Sequence, residues 1–113
     1  MMNLPNTYEG MRIMQQSVRE FLESNQMTNN EQIRYLDLVS DVGELGKEIL
    51  KSTDYGKRPY VWNENAVEEM GDCLFSILAL CCEMGIDAEK ALAFALEKYN
   101  RRLSSTGSIG SGR

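Results

Sequence analysis

The sequence predicts an all-α protein made of four helices. In four segments of the 113-residue chain, apolar residues recur every three or four positions, which is the spacing of one face of a helix. Polar residues typical of helix caps precede these segments, whereas the alternation typical of strands and the turn signals of hairpins are missing from the sequence. The length suits one domain around one hydrophobic core.

The first two helices are predicted from capping boxes, in which a polar residue is followed three positions later by glutamate. Asn6 precedes a helix over about residues 8–23, and Thr28 precedes a second helix over about residues 30–51. The second helix has apolar residues at i, i+4 and i+7, so one of its faces should be buried. Residues 52–63 contain glycine, proline and several polar residues, and they predict the one substantial loop.

The third helix, over about residues 66–84, is predicted from a cap at Asn65 and a terminating Gly85. Beyond residue 72 this helix is apolar around nearly its whole circumference, which is more surface than one small bundle covers. The sequence therefore predicts a four-helix bundle-like protomer that is completed in a homodimer or homotetramer. At least one of three residues is predicted to contribute to the subunit interface, namely Phe75, Ile77 or Leu78.

The fourth helix is predicted to begin after Asp87 and to carry an apolar stripe as far as Leu103. Residues 104–113 are rich in glycine and serine, which favours a flexible segment. The predicted single domain, residues 1–113, thus has a helical core over residues 8–103 and a C-terminal tail.

The composition excludes several classes of function. A formal net charge of −5 argues against binding to a nucleic-acid polymer, because such binding depends on basic residues that neutralise phosphates. The longest uncharged apolar run, residues 73–82, is shorter than the roughly 20 residues needed to cross a bilayer. The N-terminal residues show no secretory signal, so a cytoplasmic location is expected. Histidine is absent and the three cysteines form no CxxC pair, so any bound metal should prefer oxygen ligands.

Two groups of acidic residues give the sequence its clearest chemical signal. The second predicted helix carries four acids at spacings of four, three and four, which lie within a narrow arc because each residue turns the helix by about 100°. These acids are Asp37, Asp41, Glu44 and Glu48. Glu69 and Asp72 share a face of the third helix. If the two helices are antiparallel neighbours, the groups converge and suit Mg²⁺ or Mn²⁺; alternatively, each is an ordinary solvated acid.

These residues resemble the signature of the MazG-like all-α nucleotide pyrophosphohydrolases, which is Glu-Glu-x-x-Glu on one helix and Glu-x-x-Asp on the next. The corresponding segments here are residues 40–44, SDVGE, and residues 69–72, EMGD. The resemblance extends over about residues 35–102. One difference is that Ser40 occupies the position of the family's first glutamate, and Asp41 is shorter than the glutamate expected after it.

The resemblance implies that the metal ligands are Asp41, Glu44, Glu69 and Asp72. It also implies an enzyme that uses Mg²⁺ or Mn²⁺ to hydrolyse a nucleoside triphosphate, (d)NTP, to the monophosphate and pyrophosphate, as part of nucleotide-pool house-cleaning. Glu48, one turn beyond Glu44, is the candidate base that accepts a proton from the attacking water.

A triphosphate also needs cationic groups, and Lys98 and Arg102, which share a face near the end of the fourth helix, are the best candidates. Their alternative role is to balance the helix dipole. In the long loop, Lys57 is a weaker candidate, and Trp62 either stacks on a base or packs the loop onto the core. The glycines and serines of the tail, with Arg113, predict a segment that covers the phosphates, unless the tail makes a contact unrelated to substrate.

Two other functions remain open from the sequence. Phosphoribosyl-ATP pyrophosphohydrolase is a related all-helical enzyme that shares the carboxylate arrangement. A catalytically silent helical oligomer that binds a nucleotide or a partner protein is the third alternative, because Ser40 can neither act as a base nor bind a metal strongly.

Overall fold

The computed structural model of the chain describes residues 9–110. These residues form four helices and no strand, so the predicted all-α class is confirmed. In chain order the helices are α1, Glu9–Ser24; α2, Glu31–Ser52; α3, Glu64–Met84; and α4, Ala88–Thr106. Within this part of the chain, no helix combines the length and the apolar character that crossing a membrane requires.

The first caps differ from the predicted ones. Asn30, and not Thr28, precedes α2, and its side-chain oxygen accepts a hydrogen bond of 2.9 Å from the backbone N–H three residues further on. Asn63, and not Asn65, caps α3 in the same way, also at 2.9 Å. The third residue of each helix is apolar, Ile33 in α2 and Ala66 in α3, so neither cap is a capping box, and the asparagine side chain satisfies one of the free N–H groups of the first turn. The predicted cap Asn6 lies outside the described residues.

The later helix ends agree better with the sequence. Gly85 ends α3 in the left-handed conformation, with φ of 69°, which glycine adopts without steric cost. Asp87 caps α4 as predicted, since its carboxylate accepts hydrogen bonds from two backbone N–H groups of the first turn. However, α4 continues beyond Leu103 to Thr106, so the first residues of the predicted tail are helical.

Three pairs of helices make the main contacts of the protomer. α2 and α3 form the most extensive pair, α1 packs on α3, and α4 makes its main contact with α1. The backbone N–H of Asn29, just before α2, donates to Glu83 near the end of α3, and Ser76 of α3 donates to Asp41 of α2. These contacts show that α2 and α3 run antiparallel.

Gln15 of α1 joins that helix to the turn between α3 and α4. Its buried side-chain amide donates to the Ile86 carbonyl and accepts from the Ala88 N–H, both at 2.8 Å. Arg12, one turn earlier, pairs with Glu89 at the start of α4. The side chains of α1 therefore fix the direction in which α4 leaves α3.

The protomer has a small core. Among residues 9–110, the buried apolar residues are Leu22, Leu78, Ala79 and Ala88. The radius of gyration is 16.9 Å, whereas a compact chain of this length has about 13 Å. Leu78, with 5% of its surface exposed, belongs to the protomer core, which leaves Phe75 and Ile77 as the candidates for the predicted interface. Phe75 packs edge-on against Phe21, with ring centroids 5.8 Å apart, whereas Ile77 remains 45% exposed.

Candidate active site

The predicted acidic stripe of α2 lies along its contact with α3. Asp41 accepts a hydrogen bond from the hydroxyl of Ser76 on α3. Asp41 and Glu48 are half-buried against the neighbouring helix, and Glu44, between them on the stripe, is exposed. These carboxylates thus sit at the margin of the helix pair, where a small ligand has access to them.

On α3, Glu69 is half-buried and Asp72 is exposed. The pKa of Glu69 is raised above its usual value, first by partial desolvation between the helices and then by the negative charges around it. Those charges belong to Asp72, Glu44, Asp41 and Glu48. The five predicted acids from two helices therefore share one electrostatic environment, and we call them the carboxylate cluster.

Ser76 is a site residue that the sequence analysis missed. It is 5% exposed, and its hydroxyl donates to one carboxylate oxygen of Asp41. Ser76 follows Asp72 by four residues, so it lies one turn further along the same face of α3. That spacing was the only sequence signal for it, because the acceptor is on another helix. The hydrogen bond restrains Asp41 at the helix contact.

Asp37, the first acid of the stripe, is separate from the cluster. Its carboxylate lies 3.7 Å from the guanidinium of Arg34, and Arg34 is buried and also donates to the Met27 carbonyl. Asp37 therefore balances a structural arginine that ties the α1–α2 connection to α2.

The cluster itself has no such counter-charge. In the described part of the chain, the ion pairs join Arg12 to Glu89, Arg34 to Asp37, and Arg101 to Glu97. A group of carboxylates that has no basic partner offers only oxygen atoms as ligands, and such a group suits a hard divalent cation. Within residues 9–110 no three acidic, thiol or imidazole side chains lie close enough together to hold a metal ion.

A family model of the MazG nucleotide pyrophosphohydrolase domain matches residues 29–105. The chain belongs to this family. The match contains α2, α3, the whole carboxylate cluster and nearly all of α4, and it confirms the resemblance drawn from segments 40–44 and 69–72. Enzymes of this family generally use divalent metals. No individual curated protein and no solved structure matches the chain.

The predicted cations Lys98 and Arg102 lie on α4, outside the α2–α3 pair that carries the cluster. Lys98 and Arg102 line a groove of about 980 Å³ at the end of α4, a helix whose main contact is with α1. Arg102 donates to the Ile109 carbonyl at 3.0 Å, which folds the chain after α4 back onto that helix. Neither residue forms an ion pair with the cluster, and exposed Lys57 in the α2–α3 loop forms none either.

Trp62 also lies away from the carboxylates. It is 68% exposed and borders an apolar groove of about 400 Å³ with Tyr60 and one face of α3. That face carries Val67, Met70 and Leu74, and it is not the face of Glu69 and Asp72. Within one protomer, the five predicted acids thus act on one another electrostatically without lying close enough to hold a metal ion, and no ion pair joins Lys57, Lys98 or Arg102 to them.

Proposed function

We propose that the protein is a nucleoside triphosphate pyrophosphohydrolase that depends on Mg²⁺ or Mn²⁺ and acts on the nucleotide pool of the cytoplasm. Its products are a nucleoside monophosphate and pyrophosphate. The observation that supports this most is the position of acids from both family motifs along the α2–α3 contact, where the charges of their neighbours add to partial desolvation in raising the pKa of Glu69. The chemistry of that donor set is what a phosphate-bound divalent cation requires.

Four residues are proposed to hold the cation: Asp41, Glu44, Glu69 and Asp72. A divalent cation bound there supplies charge neutralisation for the phosphates and lowers the pKa of a water molecule enough to give hydroxide near neutral pH. Ser76 occupies one oxygen of Asp41 and leaves the other available as a ligand.

Glu48 is proposed as the base. Its half-buried position one turn from Glu44 and the effect of its charge on Glu69 support this role. In the proposed reaction, the water oxygen forms a bond to the α-phosphorus, and the bond from that phosphorus to the α–β bridging oxygen breaks. The proton of the water passes to Glu48, and pyrophosphate leaves with the electron pair of the broken bond.

Binding of the triphosphate is proposed to use Lys98 and Arg102 from a neighbouring copy in a homodimer or homotetramer. The support is geometric, because α4 of the same protomer packs on α1 and leaves its cationic groove away from the cluster. Trp62 and Lys57 stay candidates for contacts with the base and the phosphates from the loop between α2 and α3.

Substitution of the proposed ligands tests this function. Glu44→Gln and Asp72→Asn each remove a negative charge with little change in shape, so both should abolish Mg²⁺-dependent release of pyrophosphate while the helix content in circular dichroism stays unchanged. Glu68→Gln is the matched control, since Glu68 is an exposed acid next to Glu69 that lies outside the cluster. Full activity in both ligand variants would place the reaction elsewhere.

One observation supports a silent nucleotide-binding protein as the second candidate. Ser40 replaces the family's first glutamate and is exposed on α2, so it offers no replacement ligand. Titration calorimetry with a triphosphate and Mg²⁺, beside a pyrophosphate assay, distinguishes the two: binding without product supports the silent protein.

A further inference from the structure

The chain turns back on itself directly after α4. Gly107 ends the helix in the left-handed conformation, with φ of 76°, and its backbone N–H donates to the Leu103 carbonyl at 3.1 Å. Glycine adopts this conformation without steric cost, whereas a residue with a Cβ atom would be strained there. The residues that follow run back beside the last turns of the helix, where Ile109 meets Arg102. We call residues 106–110 the C-terminal turn.

Side-chain hydroxyls hold the C-terminal turn together. The Thr106 hydroxyl lies 2.8 Å from the Arg102 carbonyl and 3.0 Å from the Ser108 carbonyl, and it donates its single hydrogen to one of them at a time. The same oxygen accepts from the Ser108 N–H at 3.3 Å, and the Ser108 hydroxyl accepts from the Gly110 N–H at 3.1 Å. A segment that buries little apolar surface gains its order from such specific contacts.

The C-terminal turn also holds the guanidinium of Arg102. The Nη1 group of this half-buried side chain donates to the Ile109 carbonyl at 3.0 Å. A guanidinium has five N–H donors, so the other donors remain for a second acceptor. The carbonyl is neutral, and Arg102 forms no ion pair among residues 9–110. The turn therefore restrains the side chain and leaves its positive charge uncompensated.

Arg101, the preceding residue, shows the contrast. Its guanidinium lies 2.7 Å from the carboxylate of Glu97, one turn earlier on α4, and both side chains are 66% exposed. A carboxylate offsets the charge of Arg101, whereas a carbonyl fixes Arg102 without offsetting its charge. In the described part of the chain, Arg102 is thus a cation that is held in place by a neutral group and keeps its attraction for an anion.

A restrained arginine binds an anion at lower cost than a free one. Binding immobilises a long, flexible side chain, and the lost conformational entropy opposes the contact. The Ile109 carbonyl has already removed part of that freedom from Arg102. Because the Thr106 hydroxyl closes the turn that carries Ile109, the restraint on Arg102 depends on Thr106 as well.

We propose that the C-terminal turn positions Arg102 for the phosphates of the triphosphate, with Thr106 holding the turn closed and the Ile109 carbonyl holding the guanidinium. The inference rests on the proposed function, because it takes Arg102 as a phosphate contact. It differs from a tail that covers the phosphates, since the turn acts through Arg102 and touches no substrate itself. Thr106 is then a positioning residue, and its effect disappears when Arg102 is absent.

A double-mutant cycle of Thr106 and Arg102 tests this dependence. Thr106→Val removes the hydroxyl and nearly keeps the shape of the side chain, and Thr106→Ser keeps a hydroxyl. Thr28→Val is the matched control, because Thr28 is exposed and lies between α1 and α2. Arg102→Ala is made alone and together with Thr106→Val. Titration calorimetry measures binding of inorganic triphosphate with Mg²⁺, a probe that has the phosphate chain and no base.

We expect Thr106→Val to raise the dissociation constant about two- to twelvefold, the cost of immobilising one long side chain on binding. Thr106→Ser and Thr28→Val should change it by no more than about twofold. Arg102→Ala should raise it about 10- to 150-fold, because hydrogen bonds to a charged group are lost, and adding Thr106→Val should cause no further rise. A further rise in the double variant, or no rise in Thr106→Val beside a rise in Arg102→Ala, would overturn the inference.

Nuclear magnetic resonance of the full chain separates this inference from the proposed function. The heteronuclear NOE of the amides of residues 107–110 reports fast motion of the turn in the absence of any substrate. It should fall in Thr106→Val and in Arg102→Ala, and it should stay high in Thr106→Ser and Thr28→Val. A turn that stays rigid in the first two variants overturns the inference even where hydrolysis is observed. A turn that loosens, beside an unchanged dissociation constant in Arg102→Ala, overturns the phosphate contact of the proposed function, and the inference falls with it.

Discussion

The hydrogen bond between Ser76 and Asp41 gives a quantitative prediction for Ser76→Ala. The hydroxyl is buried and donates to an ionised carboxylate, and such a bond contributes about 1.5–3 kcal/mol. Alanine raises the helix propensity of α3 by about 0.5 kcal/mol, which offsets part of this loss. The net destabilisation should therefore be about 1–2.5 kcal/mol.

The same change should weaken catalysis through the position of Asp41. Groups that orient a metal ligand typically contribute about 10- to 100-fold to metal affinity or activity. We therefore expect the Mg²⁺ concentration for half-maximal pyrophosphate release to rise by about tenfold or more, a shift that a purely structural role of Ser76 would not produce.

Two measurements on Ser76→Ala check this reasoning, namely urea denaturation and a Mg²⁺ titration of activity. Ser17→Ala is the matched control, because Ser17 is an exposed helical serine whose hydroxyl bonds only to the backbone of its own helix. The control should stay within about 0.5 kcal/mol of the unmodified protein. A Ser76→Ala variant with unchanged urea midpoint and unchanged Mg²⁺ requirement would refute the assigned role.

Three further outcomes are expected. Because the pKa of Glu69 is raised in the folded protein, its ionisation opposes folding, and stability should decline as pH rises through that pKa. Glu69→Gln should therefore raise the urea midpoint at pH 7, and this gain should shrink towards pH 4.5. An equal gain at both pH values would show that ionisation of Glu69 does not oppose folding. Gln15→Met leaves the Ile86 carbonyl and the Ala88 N–H without partners, so chemical denaturation should show that the free energy of unfolding falls by about 2–5 kcal/mol. A smaller fall would show that water replaces the amide. Truncation after Gly107 removes the Ile109 carbonyl, which accepts a hydrogen bond from Arg102. If the tail covers the phosphates of the substrate, KM should rise while the mass of the oligomer stays the same. An unchanged KM would disprove that role.

The helices were predictable because their apolar period is a local property of the sequence. Their caps were less so, because the two asparagines at positions 63 and 65 lie close to the start of the same helix, and only the backbone conformation shows that Asn63 is the cap and Asn65 lies in the first turn. Spacing predicted the acidic stripe of α2 but also included Asp37, which pairs with Arg34, and the proposed metal ligands were chosen by the resemblance to the family.

The features that were missed depend on contacts between distant residues. Ser76 gains its role from an acceptor on α2, which no pattern within α3 indicates. The direction of α4 depends on Gln15, far away in the chain, so its cations could be identified but not placed. Leu78 and Ile77 are neighbours in an apolar run, and only packing of α1 on α3 shows which of them the protomer buries.

Analysis of the products formed from a panel of nucleoside triphosphates with Mg²⁺ tests the central claim most directly. Phosphorus NMR distinguishes cleavage between the α and β phosphates from cleavage at the γ phosphate. The proposed function predicts a nucleoside monophosphate and pyrophosphate in equal amounts, and no product from Asp72→Asn. A nucleoside diphosphate with free phosphate, or no product from any triphosphate, would contradict it.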